Sequence, residues 1–334
     1  LAVVMGIENG DVLALAGRPS FDPNLGVPLN RGLMRNRVLT DPVEPGSTFK
    51  PFVACGALQG KYVSKEELID CHQGVYHVGS RIIKDTSPHG MMDLAGIMTH
   101  SSNIGMAIIG QRMGNTVAYN TVRQFGFGEV TGIDLPGEGV GKVHALRRWG
   151  SMSAASVSFG YEISVTPIQL VTAFCALINQ GFAVRPHVAG ELVGSDGMTT
   201  RLVSTSERSR QVVPSDIAKY VGRELLESVV QNGTGRKAQL DRYRVLGKTG
   251  TPKLAMLKSS KRKGYEEGAY APAFLGAAPA SDPRIAVLVM VRRPEAKRGY
   301  YGGVVAAPAA ARILDVTLEY LGVPSDKNVV LTGL

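Results

Sequence analysis

The sequence predicts an α/β protein in which strands from both ends of the chain form one mixed sheet and a mostly helical lobe is inserted between them. Short apolar runs typical of strands occur at residues 2–6 and 12–16 and again at residues 273–277 and 285–291. The middle of the chain instead carries apolar residues at helical spacing. Strands at both ends with helices between them are the basis of this expectation.

The first element is predicted to be a β-hairpin, because Asn9-Gly10 separates the first two apolar runs and Asn-Gly favours a tight turn. Residues 17–46 contain five prolines and are expected to be irregular. A helix is expected over residues 48–58, where apolar residues share one face, and Gly60 is expected to end it.

Further helices are expected in the middle of the chain, and one is expected near its end. Residues 91–125 are mainly helical in pattern, and shorter helical patterns span residues 167–178, 213–230 and 304–320. A strand-like run at residues 243–247 precedes the two C-terminal strands.

The composition is that of a globular protein, and it argues against nucleic acid as a binding partner. Of the 334 residues, 44% are hydrophobic and 19% are charged, which excludes a disordered chain or a coiled coil. The 37 basic and 28 acidic residues give a formal net charge of +9, a surplus that can attract nucleic acid, anionic membranes or acidic polymers. Nucleic-acid binding is not expected, because only 6% of the residues are aromatic and no RNA-binding aromatic run occurs.

Cysteine and histidine usage predicts no metal site. The cysteines Cys55, Cys71 and Cys175 are odd in number and form no CxxC pair, and we interpret them as buried apolar thiols. The six histidines show no metal-binding spacing. We therefore expect neither a metal nor another cofactor.

The strongest chemical signal is a Ser-x-x-Lys sequence, Ser47 to Lys50, directly after Pro45-Gly46. Residues three apart lie on one face of a helix, so a neutral Lys50 amine can take the proton of the Ser47 hydroxyl and make it a nucleophile. Neutrality requires the lysine pKa to fall from ~10.4 to about 7, which burial and a second nearby cation can achieve. The sequence must therefore supply another cation at this site.

A Ser-x-Asn sequence supplies two further candidate groups. Ser101-Ser102-Asn103 is the only such sequence in the chain. The Asn103 amide can bind a substrate amide because it offers both a donor and an acceptor. The Ser101 hydroxyl can relay a proton to a leaving amine.

The only Lys-Thr-Gly sequence of the chain supplies the cation. Lys248 is the candidate for the second positive charge that lowers the Lys50 pKa. Gly250 has no side chain, so an extended peptide can lie against the strand edge beside it. The hydroxyls of Thr249 and Thr251 can hold a terminal carboxylate.

Each motif also has a purely structural interpretation. Ser47 or Ser101 can belong to a helix cap, and Lys-Thr-Gly-Thr can be an ordinary strand end. A second Ser-x-x-Lys at residues 260–263 is a chance match, because it lies in a charged run without an apolar helix face. The three motifs together, in this order and on fitting secondary structure, favour the catalytic interpretation.

The same trio, in this order, is found in penicillin-binding proteins and class A β-lactamases. Beyond the trio, the chain resembles the transpeptidase domain of class B penicillin-binding proteins along nearly its whole length. The segments that carry this resemblance are residues 10–16, 20–24, 35–37, 44–51, 125–128, 131–138, 159–161, 165–170 and 300–308. The last of them is similar to the division-type branch, that of FtsI and its relatives, more than to the elongation branch.

The resemblance implies a fold and a domain organisation. The fold implied is a five-stranded antiparallel sheet flanked by helices, with a mostly helical lobe beside it. Residues 1–334 would be one transpeptidase domain, with a sheet lobe from about 1–45 and 235–334 and a helical lobe from about 46–234. The longest apolar runs are far shorter than the ~18 residues of a membrane span. Because such proteins usually carry an N-terminal membrane anchor and a pedestal domain, we expect both to be missing from this chain.

The resemblance also implies an activity. Ser47 would attack the D-Ala-D-Ala amide of a peptidoglycan stem peptide, release D-Ala and pass the acyl group to an amine of a neighbouring stem. The backbone N–H groups of Ser47 and Thr251 would form the oxyanion hole, and β-lactams would acylate Ser47 as substrate mimics. Tyr161, Tyr300 and Tyr301 would line the cleft.

The resemblance further implies where the protein works and with what. The catalytic domain would lie on the extracytoplasmic side of the cytoplasmic membrane, in septal wall synthesis. Its partners would be stem peptides, β-lactams, and glycosyltransferase and division-complex proteins. Five basic residues in the connection around residues 253–263 form either a mobile basic flap or, as we favour, a solvated loop.

Four alternatives share the trio. A serine β-lactamase needs a deacylation base, and no Glu-x-x-Leu-Asn follows the Ser-x-Asn sequence. A β-lactam sensor domain is disfavoured by the extended match to the division branch. A D,D-carboxypeptidase differs only in using water as the acceptor. A scaffold with a dead site is disfavoured because Ser47, Lys50 and Lys248 are all present.

Overall fold

Residues 1–26, 30–78, 81–202, 210–256, 264–295, 297 and 299–327 are described in the structure, a computed structural model. In chain order the strands are β1 (Ala2–Gly6), β2 (Val12–Ala16), β3 (Ile69–Asp70), β4 (Val75–Val78), β5 (Arg81–Lys84), β6 (Met91–Met92), β7 (Glu191–Val193), β8 (Thr199–Arg201), β9 (Leu246–Gly250), β10 (Lys253–Ala255), β11 (Tyr265–Tyr270), β12 (Ala273–Ala278) and β13 (Ile285–Met290). The α-helices are α1 (Arg37–Thr40), α2 (Lys50–Gln59), α3 (Leu94–His100), α4 (Asn103–Gln124), α5 (Ser153–Ser158), α6 (Pro167–Ile178), α7 (Ser215–Lys219), α8 (Leu226–Gln231), α9 (Gly302–Val305) and α10 (Ala307–Tyr320).

Five strands from the two ends of the chain form the central sheet, in the order β2-β1-β13-β12-β9. Every pair in it is antiparallel. This confirms the five-stranded antiparallel sheet that the family resemblance implied, whereas the expectation of a mixed sheet is wrong. The short connections explain the difference, because β1–β2 and β12–β13 are joined by hairpin-length loops and such loops join antiparallel neighbours.

Both faces of the sheet are covered by helices. Val4 and Val287 belong to one buried cluster together with Leu314 of α10. Val3 and Leu288, whose side chains alternate with these along the strands, belong to the second cluster, which includes α6. A strand buried on both faces reads as a continuous apolar run, which is why β1 and β13 were visible in the sequence.

Three predicted elements differ in detail from the structure. The run expected at residues 243–247 is shifted, since β9 begins at Leu246 and includes Lys248, Thr249 and Gly250. The helix expected at residues 304–320 is divided into α9 and α10, because Pro308 near the start of α10 has no N–H to continue a helix. Residues 213–230 form α7 and α8 with a π-helical segment, Tyr220–Leu225, between them.

The helical lobe lies between β2 and β9 in the chain, and its described residues include three two-stranded sheets, β3-β6, β4-β5 and β7-β8. Its helix α2 is buried from Lys50 to Ala57, so it forms the centre of the lobe rather than a surface helix. All three cysteines are buried and free, which confirms that they are unpaired thiols. No helix among the described residues is long and apolar enough to cross a membrane.

Part of the basic loop lies outside the described residues. Of the five basic residues noted in it, only Lys253 falls within them, at the start of β10. The second Ser-x-x-Lys, residues 260–263, also lies outside them. The described parts on either side pair as the antiparallel strands β10 and β11.

Candidate active site

Ser47 lies on a short 3₁₀ turn, Gly46–Phe49, that leads directly into α2. The turn is held by two hydrogen bonds. The Thr48 hydroxyl donates to the Pro45 carbonyl at 2.7 Å, and the Lys50 N–H donates to the Ser47 carbonyl. The side chains of Thr48 and Lys50 are fully buried, while Ser47 is half-buried. The nucleophile candidate is therefore at the N-terminus of a buried helix, where the dipole favours a developing oxyanion.

Strand β9 passes close to this turn because Gly250 has no side chain. A Cβ on Gly250 would lie 2.9 Å from Thr48 Cγ2 and 3.2 Å from the Pro45 carbonyl oxygen. This gives Gly250 a task that the sequence argument did not include. Its missing side chain lets the end of β9 approach the turn that carries Ser47, so the two catalytic segments meet.

Lys50 extends from α2 into the junction between α3 and α4. Its Nζ donates to the Ser101 carbonyl oxygen, to Ser101 Oγ at 3.2 Å and to Asn103 Oδ1 at 2.9 Å. None of these hydrogen bonds goes to Ser47. The pKa of Lys50 lies well below its ordinary value, chiefly because the side chain is buried and also because Lys248 is nearby.

Lys248 reaches the same hydroxyl from the sheet. Its Nζ donates to Ser101 Oγ at 2.8 Å. It is fully buried, and burial lowers its pKa from 10.5 to about 7. The two lysines are therefore neighbours, and each Nζ faces the oxygen of Ser101. The second basic group that the sequence argument required therefore lies beside Lys50, and it lowers the Lys50 pKa.

The Ser101 hydroxyl has both lone pairs occupied by the two lysines. A hydroxyl has two acceptor positions and one hydrogen, so its own hydrogen is free to point into the cleft. Ser101 also has a left-handed backbone, with φ 61° and ψ 40°, at the end of α3. A non-glycine residue in this region costs about 1–3 kcal/mol, and such strain concentrates at functional sites. The next residue, Ser102, caps α4 through Gly105 N–H.

The side-chain amide of Asn103 forms hydrogen bonds through both its oxygen and its nitrogen. Its Oδ1 accepts from Lys50 Nζ, and its Nδ2 donates to the Lys84 carbonyl oxygen at 3.1 Å. One N–H and one lone pair of the amide remain for a substrate.

Asp85 is a site residue that the sequence argument missed. Its carboxylate accepts from the Asn103 and Ile104 N–H groups at the start of α4 and from the Ser102 hydroxyl. It also raises the pKa of Lys50, against the effects of burial and Lys248. Nothing in the sequence near Asp85 marks it, because its partners lie 17 to 19 positions further along the chain.

The two threonines next to Lys248 have different partners. The hydroxyls of Thr249 and Thr234 are 2.6 Å apart. Thr251 Oγ1 accepts from Gly302 N–H at 3.0 Å, so its hydroxyl hydrogen remains available. Gly302 is packed closely, because a Cβ there would lie 2.4 Å from the Gly250 carbonyl oxygen. The first residue of α9 thus packs directly against the end of β9.

These groups open into one cleft of about 650 Å³ between the sheet and the helical lobe. Apart from the two buried lysines, all the predicted site residues line it, namely Ser47, Ser101, Asn103, Tyr161, Thr249, Gly250, Thr251, Tyr300 and Tyr301. Tyr270 adds a further aromatic wall, stacked on Tyr300 with ring centroids 4.6 Å apart. Among the described residues, no three His, Cys, Asp or Glu side chains are grouped so as to hold a metal ion.

Glu44 is a second residue that the sequence argument did not assign to the site. Its Oε1 accepts a hydrogen bond from the N–H of Glu162 at 3.1 Å. Glu162 is the residue that follows Tyr161 in the chain. Burial raises the pKa of Glu44 above its ordinary value. Tyr265 of β11 lies near this carboxyl and contacts the Tyr161 ring edge-on at 5.7 Å. Glu44 therefore connects the turn before Ser47 with one wall of the cleft.

The chain is similar to known proteins in both sequence and fold. The model of the penicillin binding protein transpeptidase domain matches residues 1–315. Stage V sporulation protein D of Bacillus subtilis is 36% identical over 336 residues, which cover 99% of this chain and 50% of that protein. Peptidoglycan D,D-transpeptidase FtsI of Escherichia coli is 32% identical over 329 residues, covering 97% and 52%. The structure of penicillin-binding protein 3 from Mycobacterium tuberculosis complexed with aztreonam has a TM-score of 0.85 and 30% identity, covering 100% of this chain and 75% of that one.

The chain spans about half the length of the curated relatives it matches. Their names and the matching fold confirm the resemblance to class B transpeptidase domains that the motifs indicated. The chain belongs to the penicillin-binding protein transpeptidase family.

Proposed function

We propose that this chain is the catalytic domain of a peptidoglycan D,D-transpeptidase that acts through an acyl-enzyme on Ser47. The observation that carries the proposal is the convergence of two buried lysines, Lys50 and Lys248, on Ser101 Oγ next to the nucleophile candidate. Burying two amines costs stability, and buried groups with strongly shifted pKa values are concentrated at sites where a reaction uses them. The names of the transpeptidase relatives and the family match support the same activity.

In the acylation step, Lys50 is the base. A neutral amine has two N–H groups and one lone pair, so Lys50 can keep two of its three hydrogen bonds and turn the lone pair to Ser47 Oγ. Its lowered pKa, which follows chiefly from burial and also from Lys248, favours this neutral form. Hydrogen bonds of this kind are often incomplete in a free enzyme and form when the substrate binds. Ser47 Oγ then attacks the carbonyl carbon between the two D-alanines.

Departure of D-alanine requires a proton on its nitrogen. The Ser101 hydroxyl is the donor, because its hydrogen is free while its oxygen accepts from both lysines. The proton that Lys50 took from Ser47 then passes along the hydrogen bond from Lys50 Nζ to Ser101 Oγ and restores the Ser101 hydroxyl. The backbone N–H groups of Ser47 and Thr251 are assigned to the oxyanion, and the hydroxyls of Thr249 and Thr251 to the terminal carboxylate. The remaining N–H of Asn103 binds the substrate amide. In the second step an amine of another stem attacks the acyl carbon, the bond from that carbon to Ser47 Oγ breaks, and a proton of the amine returns to Ser47 Oγ.

We further propose the setting of this reaction. β-Lactams acylate Ser47, as the aztreonam complex of the M. tuberculosis relative suggests by analogy. Because the curated relatives are about twice as long, we expect a membrane anchor and partners in wall synthesis and division to belong to the whole protein. The catalytic domain then works outside the cytoplasmic membrane. Within it, residues about 1–45 and 235–334 form the sheet lobe and residues about 46–234 the helical lobe.

Labelling with a fluorescent penicillin tests the proposal. We expect one covalent label per chain that persists for many minutes and maps by mass spectrometry to the peptide containing Ser47. Ser47→Ala should abolish it, whereas Ser260→Ala, in the second Ser-x-x-Lys, should label normally. Lys50→Ala should remove acylation in a chain that still unfolds cooperatively.

The other outcomes identify the alternatives. Rapid turnover of penicillin indicates a β-lactamase, and release of D-alanine without transfer to an amine indicates a carboxypeptidase. Persistent labelling with no activity on a D-Ala-D-Ala peptide indicates a sensor. Absence of any label indicates a dead scaffold and would refute the assignment of Ser47.

A further inference from the structure

A second, smaller cavity lies in the helical lobe and shares no lining residue with the cleft. Its volume is about 180 Å³, and it lies between α6, the segment that follows α4 and the chain on either side of β7 and β8. The residues of α6 that line it lie on one side of the helix, at the spacing i, i+3, i+4 and i+7, and they are Gln169, Thr172, Ala173 and Ala176. Two of these four are alanines, whose short side chains leave space beside the helix.

Two threonines in this lining have buried hydroxyl oxygens without a partner. Among the described residues, Thr131 Oγ1 and Thr172 Oγ1 are two of the three buried side-chain polar atoms that form no hydrogen bond. A helical threonine can pair its hydroxyl with the preceding turn, as Thr121 does with the Val117 carbonyl oxygen at 3.0 Å, but Thr172 does not. An unpaired buried hydroxyl costs free energy. Because rotation about one bond exchanges the hydroxyl and methyl groups of a threonine, either hydroxyl can turn toward a ligand.

The mouth of the cavity carries a positive charge. Arg210 lines the cavity and is exposed, and its Nη2 donates to the Gln124 carbonyl oxygen at 2.9 Å. No carboxylate in the described part of the chain forms an ion pair with Arg210, because Glu129, the acidic residue of the lining, is paired with Arg123. A guanidinium has five N–H donors, so Arg210 can still bind an anionic group at the mouth.

We propose that this cavity is a binding site for a small carboxylate whose apolar body is about the size of one aromatic ring. A cavity of about 150 Å³ holds benzene, so the volume of about 180 Å³ holds a ring with a short substituent. The apolar part of the lining, which includes Phe125, Ala176 and Val212, surrounds the ring. The carboxylate lies at the mouth, where it forms charge-assisted hydrogen bonds with Arg210. A ligand oxygen accepts from the Thr172 hydroxyl, and no step of this binding involves the cleft.

Benzoate and benzamide test the site, because they have nearly the same size and shape and differ in charge. Binding of each probe to the 334-residue chain is measured by ligand-observed NMR titration at neutral pH and low salt. We expect a dissociation constant of about 0.1–1 mM for benzoate, a value suited to a ligand of this size. Benzamide should bind about tenfold more weakly, and the difference should shrink as salt is raised. Equal binding of the two probes, or no saturable binding of benzoate up to about 10 mM, overturns the proposal.

Three variants establish whether the probes bind in this cavity. Arg210→Gln should weaken benzoate binding about tenfold and leave benzamide binding unchanged, whereas Arg147→Gln, an exposed arginine outside the lining, should change neither. Thr172→Val keeps the shape of the side chain and should weaken benzoate binding about threefold. Ala176→Leu fills the cavity and should abolish binding of both probes, with the exposed Ala309→Leu as its control.

Urea unfolding establishes that each variant is folded. If Ala176→Leu does not fold, Arg210→Gln and Thr172→Val decide the question. Benzoate binding that Arg210→Gln and Thr172→Val leave unchanged, or that a folded Ala176→Leu retains, means that the probe binds elsewhere and overturns the site. These measurements do not involve Ser47, so their outcome is independent of the proposed transpeptidase activity.

Discussion

Gly46 and Gly160 lie with their backbones in direct contact. Gly46 N–H donates to the Gly160 carbonyl oxygen at 3.1 Å, and a Cβ on Gly160 would lie 2.1 Å from the Gly46 carbonyl oxygen. The backbone of Gly160 also has φ +84°, a conformation that favours glycine. The position of the Ser47 turn is therefore fixed by a contact that no side chain can replace.

Gly160→Ala should displace that turn. We expect the acylation rate by penicillin to fall at least about 100-fold and the free energy of unfolding to fall by about 2–4 kcal/mol, from overpacking and backbone strain together. The measurements are stopped-flow acylation and urea unfolding. Gly150→Ala is the control, since nothing lies within 4 Å of a Cβ there. Equal effects of the two substitutions would contradict the explanation.

Lys248→Met should stabilise the fold while it removes activity. Because the Lys248 pKa is about 7 in the folded protein and near 10.5 when unfolded, the unfolded chain binds more protons between these values, and stability rises with pH in that window. Replacing the buried amine should raise the free energy of unfolding at pH 7 by roughly 1–4 kcal/mol. It should also reduce the slope of the unfolding free energy against pH. Urea midpoints from pH 6 to 10 measure both, with the exposed Lys219→Met as control. A less stable variant with an unchanged slope would count against the buried charge.

Asp85→Asn should shift the pH profile of acylation. The Asp85 carboxylate raises the pKa of Lys50, so its loss lowers that pKa and moves the acidic limb to lower pH. The maximal rate should also fall, by about 10–100-fold, because Ser102 and Asn103 lose an anionic acceptor. Acylation rates from pH 5 to 8 test this. Asp134→Asn is the matched control, since Asp134 also accepts from two backbone N–H groups but lies outside the cleft lining. If the acidic limb of the pH profile does not shift in Asp85→Asn, Asp85 has no electrostatic effect on Lys50 during acylation.

Glu44→Gln should flatten the dependence of stability on pH. The folded pKa of Glu44 is raised, so its contribution to stability is complete below about 4.5 and is lost as pH rises through the folded value. Glutamine keeps an acceptor for Glu162 N–H without a charge, whereas Glu44→Ala removes the acceptor and should also slow acylation. Urea midpoints from pH 4 to 8 are compared with those of the exposed Glu8→Gln. If Glu44→Gln and Glu8→Gln behave alike, the buried carboxyl has no such role.

Much of this fold could be predicted from local patterns. The Asn9-Gly10 hairpin and helix α6, with Pro167 first, are where the sequence indicated them. Both depend on residues close in the chain, which is why a pattern finds them. The end of β9 was misplaced because Lys248 and Thr249 are polar, and their burial depends on contacts with Ser101 and Thr234 that no local pattern shows.

The residues of the candidate site also differ in whether the sequence could predict them. Ser47, Lys50 and Lys248 could be named because each lies in a compact motif. Asp85 and Glu44 could not, because their importance comes from contacts with Asn103 and Glu162, far away in the chain. The second task of Gly250, its close packing on Thr48, also requires the folded geometry.

The pairing of β1 with β13 has a consequence for the order in which the parts of this chain fold. Ala2 is opposite Val289, so the central strands of the sheet are joined across almost the whole chain. Contacts of such large sequence separation form late, because the loop that they close is long. Strand β9 is held in this sheet through β12, so we expect Lys248 to take its position beside Ser101 only after the last strands have been synthesised. A nascent or truncated chain that lacks β12 and β13 would therefore present Ser47 without its second lysine and stay unreactive until folding is complete.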